Sequence, residues 1–238
     1  MSFTYDYARP AVTADSVLFA MRAEDLAVLL IKRKGSPFKG AWALPGGFVN
    51  ENEPLDRAAA RELLEETGIS GVPLEQLGAF GDPGRDPRGH TVTIAYYSFV
   101  VVDTQPVAAD DAADAAWHPL TELPLPSWGG PQPVKSGLKL AFDHALIIDA
   151  ARRRLQERLV NPTRESPFEI IPSRFTLLEL QRVYEAVLGQ PLDRRTFRTR
   201  LVERGVVEPV SKARSASARS GGKTRMAQLY RFKGAKSR

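Results

Sequence analysis

At 238 residues, with 43% hydrophobic and 26% charged residues, the chain has the composition of a soluble globular protein and enough length for two domains. The absence of cysteine excludes disulfides and thiolate metal sites and fits a cytoplasmic home, the polar start MSFTYDYARP lacks the apolar core of a signal peptide, and runs such as Leu26 to Ile31 are too short to span a bilayer, so no membrane partner is expected. The net charge of +5 is unevenly split: residues 1–134 carry 10 Lys+Arg against 18 Asp+Glu, net −8, and residues 135–238 carry 23 against 10, net +13, which makes the basic part a candidate for a polyanionic partner, the alternative being a well-solvated surface.

Two β-like runs come first, Ser16 to Met21 and Leu26 to Lys32, joined by the polar turn at residues 22–25. A Gly/Pro-rich stretch over residues 34–47 leads to a helical pattern from Pro54 to Thr67, with Pro at its start and Gly68 just past its end. Glu62, Glu65 and Glu66 lie three and four residues apart and share a helical face, while Leu55, Ala58, Ala59 and Leu63 are expected on the opposite side. No cation follows Glu62 within four residues to relieve the carboxylate repulsion. A hard divalent cation would relieve it, and Mg²⁺ (or Mn²⁺) is the natural choice for oxygen ligands. Glu62, Glu65 and Glu66 are therefore the candidate metal ligands and catalytic residues, with Gly46 and Gly47 letting backbone approach metal and phosphates, and Arg61 able to pair with Glu53. An ordinary acidic surface helix is the plainer alternative for E-x-x-E-E alone.

The whole segment Gly47 to Ile69, GFVNENEPLDRAAARELLEETGI, goes further. Every position resembles the Nudix box G-x5-E-x7-R-E-U-x-E-E-x-G-U, where U is aliphatic. That resemblance implies an α+β Nudix fold, a mixed sheet between helices, in which the box forms loop–helix–loop and Glu62, Glu65 and Glu66 act as metal ligands or bases.

Downstream, Arg85-Asp86-Pro87-Arg88 precedes a strand candidate, Thr91 to Val102, and offers two guanidiniums suited to bidentate phosphate contacts, or simply a polar turn. The segment resembles the loop of Nudix proteins that bind ADP-ribose, and Arg9-Pro10 with Val12 to Asp15 resembles the opening of that group. Arg9, Gly47, Arg61, Arg85, Asp86 and Arg88 are thus the candidate contacts to ADP-ribose or a related nucleotide diphosphate. Tyr5, Tyr7 and Tyr97 could stack on adenine or serve packing. Residues 107–116 read as loop or short turn, Trp117 to Leu120 as a short strand, 123–136 as connection, and 138–160 as a long helix. Residues 161–175 form a linker by composition, and the domains are placed at 1–150 and 151–238.

The basic part opens with a capping box, Thr176-Leu177-Leu178-Glu179, on a helix striped by Leu177, Leu180, Val183, Tyr184 and Val187. Asp193 is the N-cap of a second helix on which Phe197 and Leu201 anchor one side, with Arg195, Thr196, Thr199 and, at the edge, Arg200 on the other. This is the layout of a helix-turn-helix whose second helix enters the major groove, and Arg194 and Arg198 complete its candidate contacts to double-stranded DNA. Strands Val206–Val210 and Met226–Phe232 would form a hairpin, with Lys212, Arg214, Arg219, Lys223 and Arg225 on a flexible basic wing. A basic interaction domain or unstructured tail is the alternative.

A Nudix domain followed by FDHALIIDAARRRLQERL and FTLLELQRVYEAVLGQPLDRRTFRTRL resembles the Nudix-related transcriptional regulator (NrtR) family. The resemblance implies an ADP-ribose-sensing Nudix domain, a winged helix-turn-helix domain, and control of NAD-metabolism genes in bacteria. Thr196 stands where Asn is common in that family's recognition helix, which leaves the operator open. A homodimer is expected because such regulators bind paired half-sites. The intact box also implies at least weak Mg²⁺-dependent hydrolysis. The other reading is a metabolic ADP-ribose pyrophosphatase, yielding AMP and ribose 5-phosphate, whose basic half serves dimerisation or localisation.

Overall fold

The computed structural model describes residues 6–22, 25–100, 106, 112–126, 137–160, 173–220 and 223–233, with side chains 112, 113, 160, 213–220 and 223–225 outside that description. The chain divides into two compact units, Met1–Arg154 and Leu155–Arg238. Among the described residues no helix is long and apolar enough to cross a membrane.

In the first unit, β1 (Ala11–Arg22), β2 (Asp25–Arg33), β3 (Trp42–Ala43), β4 (Gly46–Phe48), β5 (Glu75–Phe80), β6 (Thr91–Val100) and β7 (Ala112–Pro119) build one mixed seven-stranded sheet. Its path is β3-β2-β1-β6-β5, with β4 added on β1 and β7 on β2. Only the β1–β6 pair is parallel among the pairings described. Consecutive residues of β1 and β2 are buried, so both sheet faces are covered there. α1 (Leu55–Thr67) packs Leu63 with Leu18, Leu29 and Val100, and Ala58 and Ala59 with Ala14 and Tyr96. Pro54 precedes it, and Gly68, at φ 71°, ends it by donating its N–H to the Leu64 carbonyl.

Several expectations change. β1 begins at Ala11 rather than Ser16, because its polar first half, with Thr13 and Asp15 buried, faces a cleft rather than water. The stretch expected as loop at 107–116 instead forms most of β7 from Ala112 onward: pairing with the buried centre of β2 overrides the weak strand preference of Ala and Asp. The helix expected from 138 starts only at His144. Leu140 first bridges Trp42, and Phe142 adopts φ 51°. α2 (His144–Val160) contains the division between the two units.

The second unit holds α3 (Leu177–Leu188), α4 (Arg194–Glu203) and the hairpin of β8 (Val207–Ser220) and β9 (Lys223–Phe232). Both halves of the Thr176–Glu179 capping box are made. Gln181 and Glu185 fix the turn by bonding the Leu192 carbonyl and N–H, and Tyr184 meets Phe197 edge to face at 5.1 Å. Phe175 pairs with Tyr230 through backbone bonds and stacks on Phe232, tying the hairpin to the start of α3. The basic stretch expected as a flexible loop is strand as far as the Ser220–Lys223 pair. The expected linker is described only from residue 173, so most of it lies outside the described residues.

Candidate functional site

Gly46 and Gly47 set the floor of the first site by having no side chain. A Cβ on Gly46 would meet Asp15 Oδ1 and lie 2.5 Å from the Ala14 carbonyl oxygen; one on Gly47 would lie 2.5 Å from Cδ and Oε1 of Glu62. The Gly46 N–H donates to Glu66 Oε2 at 2.8 Å, so β4 and α1 hold each other through the box carboxylates.

The glutamates do not share one exposed face. Glu66 is buried, Glu62 half-buried, and Glu65 exposed. Helical spacing explains this, because Glu66 falls seven residues after Ala59 and three after Leu63, both in the buried sector. Nor are the carboxylates without a cation. Arg61 precedes them, bonding Glu53 through two nitrogens (2.7 and 2.8 Å), Glu62 at 2.7 Å and Glu65 at 3.0 Å, with the Phe48 carbonyl as a further partner. Hydrogen bonding from Arg61, then from the Asn50 N–H, brings the Glu53 carboxyl down to about 2. Burial first, reinforced by Glu62 and Asp15, pushes the Glu66 carboxyl up to about 8 against the opposing Gly46 hydrogen bond. Burial also raises Glu62, against the pull of Arg61.

A cleft of about 590 Å³ opens on these groups. Its wall includes Gly46, Gly47, Glu62, Glu66, Arg85, Asp86 and Arg88 from the expected set. Arg9, Arg61 and Glu65 are not part of it. Arg61 is therefore a clamp on the box rather than a wall contact. The two loop guanidiniums reach the cleft already paired. Arg85, nearly buried, bonds Asp143 through two nitrogens at 2.9 and 2.7 Å and lies 4.0 Å from Asp15. Arg88 forks onto Asp86, whose carboxyl it holds below the usual range. The aromatic candidates lie elsewhere. Tyr7 is exposed, Tyr97 is buried and donates to Glu75, and Tyr5 is outside the described residues.

Asp15, Arg33, Lys34, Phe48, Phe142 and His144 also line the cleft and were not singled out from sequence. The signal for Asp15 was a carboxylate inside an otherwise apolar strand; for the others, scattered over more than a hundred residues, no local pattern exists. His144 is fully buried, accepting the Leu44 N–H on Nδ1 at 2.8 Å, and burial lowers its pKa. The Arg33 guanidinium donates to the Pro37 carbonyl and lies over the Phe142 ring at 4.9 Å.

Among the described residues no three Asp, Glu or His side chains converge closely enough to hold a metal ion. The oxygen chemistry of Glu62 and Glu66 beside two side-chain-free glycines fits a hard divalent cation, whose charge would oppose the upward push that burial gives the Glu66 carboxyl. Glu65 would join only by leaving Arg61.

In the second unit, α4 packs Leu201 inward and leaves Arg194, Arg195, Thr196, Thr199 and Arg200 exposed. Asp193 caps it, accepting the Thr196 N–H at 2.8 Å. Arg198 departs from the expected set: three residues before Leu201, it is half-buried on the packed side, with Nε enclosed. Lys212 is exposed on β8, whereas the side chains of Arg214, Arg219, Lys223 and Arg225 lie outside the described residues.

Residues 10–136 match the NUDIX domain family, and residues 167–232 match the NrtR DNA-binding winged helix domain. The chain is 38% identical to the "ADPR responsive transcriptional repressor NtrR" of Acinetobacter baylyi, over 95% of this chain and 84% of that one. It is 41% identical to an "ADP-ribose pyrophosphatase" of Methanocaldococcus jannaschii, over 60% of this chain and 73% of that one. Its fold is similar to Shewanella oneidensis NrtR complexed with a 27mer DNA, with TM-score 0.68, 33% identity and 93% of each chain covered. The Nudix domain of that protein complexed with ADP ribose covers 63% of this chain and 94% of its own, with TM-score 0.55 and 34% identity.

Proposed function

Since this chain belongs to the Nudix family, in the branch that joins a Nudix domain to an NrtR winged helix, we propose that it is a cytoplasmic DNA-binding transcriptional regulator whose Nudix cleft senses ADP-ribose and whose targets are genes of NAD metabolism. The observation that carries this is the coexistence, in one chain, of a cleft joining carboxylates to arginines and a capped helix whose exposed side is Arg and Thr.

In the cleft, Arg85 and Arg33 contact the diphosphate, while Glu62 and Glu66 are the side chains that would hold Mg²⁺ (or Mn²⁺), with Gly46 and Gly47 leaving room for it. The cation, when bound, polarises the diphosphate and lowers the pKa of a water. Asp15 and Asp143 keep the Arg85 guanidinium in place, and Arg61 keeps the box loop and helix in register. In the second unit, Arg195, Thr196 and Thr199 meet base edges in the major groove, with Arg194, Arg200 and Lys212 on phosphates. A homodimer presents two such helices to paired half-sites. ADP-ribose alters DNA affinity by as much as its own affinity differs between the two binding states.

A gel shift on DNA upstream of NAD-metabolism genes, with and without ADP-ribose, tests this. Retarded DNA that changes with ADP-ribose is expected, and no shift at moderate salt removes the reading. The intact box and the likeness to an ADP-ribose pyrophosphatase favour slow hydrolysis as a second activity. Glu66→Gln should abolish Mg²⁺-dependent formation of AMP; turnover at the wild-type rate would remove Glu66 from that chemistry.

A further inference from the structure

Among the described elements only α2 has residues in both compact units, and it is fastened at each end. At its start, the Asp143 carbonyl accepts the Leu146 and Ile147 N–H groups at 2.8 and 3.3 Å. The Asp143 carboxylate takes both Nε and Nη2 of Arg85, and the His144 ring accepts the Leu44 N–H. Arg85 and His144 both line the cleft. At its other end Leu155 and Leu159 are buried, and Gln156 Nε2 donates to the Val187 carbonyl at 2.8 Å, in the last turn of α3. A short turn leads from there to Asp193 and α4. Just before the division of the units, Asp149 accepts from Arg152 and Arg153, three and four residues on, and these pairs brace the helix. Resting on the sensor reading above, we infer that α2 is the coupling element: ADP-ribose draws on the Arg85–Asp143 pair, and the response of α2's first turn reaches the DNA-binding unit through the Gln156–Val187 bond.

The geometry of the pair makes it a point of entry. A guanidinium is flat and turns as one piece. With Nε and Nη2 of Arg85 committed to Asp143, Nη1 is the nitrogen left for a diphosphate. An Arg85 that swings toward the ligand either carries Asp143 along or surrenders it. In both cases the residue that receives the first N–H groups of α2 is disturbed, and its carboxylate is too enclosed to exchange the lost bonds freely for water. A braced helix passes such a shift to its far end instead of absorbing it. The ligand alters DNA affinity only by as much as its own affinity differs between the two states, and the fork on Asp143 is where that difference is set.

The test is the ratio of DNA affinities without and with saturating ADP-ribose, measured on the full chain with the upstream DNA of the gel shift. Wild type should show a change of roughly 5- to 150-fold. Asp143→Asn unties the charged fork, and Gln156→Met keeps length and helix preference but removes the donor. Each should shrink the change roughly two- to thirtyfold. Gln156 is not part of the cleft, so Gln156→Met should bind ADP-ribose like wild type in calorimetry without DNA. Hydrogen exchange of the wild type needs no variant: ADP-ribose should alter protection both at Leu146 to Ile148 and at Leu155 to Leu159. A change confined to the first of these segments overturns the inference, as does a wild-type ratio retained by either variant. The latter includes a variant that weakens DNA binding equally with and without ADP-ribose, where the lost bond serves only the fold. A wild-type chain whose DNA affinity ignores ADP-ribose removes the sensor reading itself; a responsive wild type beside equally responsive variants removes only this coupling.

Discussion

The two glycines under the box carboxylates put different demands on a methyl group. On Gly46 it would strike the Ala14 carbonyl and Asp15 Cα, backbone that cannot step aside. Gly46→Ala should therefore cost the fold about 1–3 kcal/mol, read from urea unfolding. On Gly47 the obstacle is the Glu62 carboxylate, the far end of a flexible side chain. Gly47→Ala should leave unfolding nearly unchanged and weaken Mg²⁺ uptake by calorimetry; wild-type uptake would dissociate this close approach from metal binding. Beside His118, which burial also lowers, and Glu66, which burial raises to about 8, His144 contributes its own limb of the pH dependence. Burial favours its neutral form in the folded chain, so the unfolded chain takes up the proton first as pH falls below about 6.5. The His144 contribution is full above that pH and declines below it, by up to about 1.4 kcal/mol per pH unit for one proton, whereas Glu66 acts in the opposite sense, the folded chain keeping a proton there that the unfolded chain loses between about 4.5 and 8. His144→Asn, which keeps an acceptor for the Leu44 N–H but does not titrate, should remove that contribution, so that its melting temperature gains on the wild type's as pH falls from 7.5 to 5. At this scale the box glutamates, the loop arginines and the Arg61–Glu53 pair were legible in the sequence, but the other partners were not. Nothing local to Arg85 announces Asp143, fifty-eight residues away, and the neutralising role of Arg61 was masked because it precedes the acids it serves.

Elements with strong punctuation could be read closely from sequence. α1 stops at Gly68 and α3 starts at a capping box whose reciprocal bonds are both made. Thr176→Ala should destabilise the chain by about 1 kcal/mol in chemical denaturation, and Thr176→Ser should restore most of it; an alanine variant as stable as wild type would mean that water replaces the cap. Elements held by distant partners stayed hidden. β3 and β4 are two and three residues long and exist because β2 and β1 offer them an edge. The Ala/Asp run of β7 has little strand preference of its own. The helical wheel of α1 contained its own answer, since Glu66 falls among the alanines and leucines, yet a carboxylate among apolar neighbours is assigned to the surface by habit.

For the whole molecule, the charge split predicts how DNA binding responds to salt. Lys212→Ala should lower the slope of log K against log salt by about 1 without altering sequence preference, as expected for a phosphate contact. Arg195→Ala should weaken specific binding by about 1–3 kcal/mol in gel shifts while ADP-ribose hydrolysis stays at the wild-type rate. An unchanged salt slope, or equal losses on specific and random DNA for Arg195→Ala, would reassign those side chains. The division between the two compact units falls inside α2, whose sequence there is Arg152-Arg153-Arg154. Proteases cut extended or unravelled backbone, and Arg152 and Asp149 are buried together at 2.9 Å. Brief native digestion with trypsin should consequently spare these three adjacent target bonds at the seam, and mass spectrometry of the fragments would find them intact.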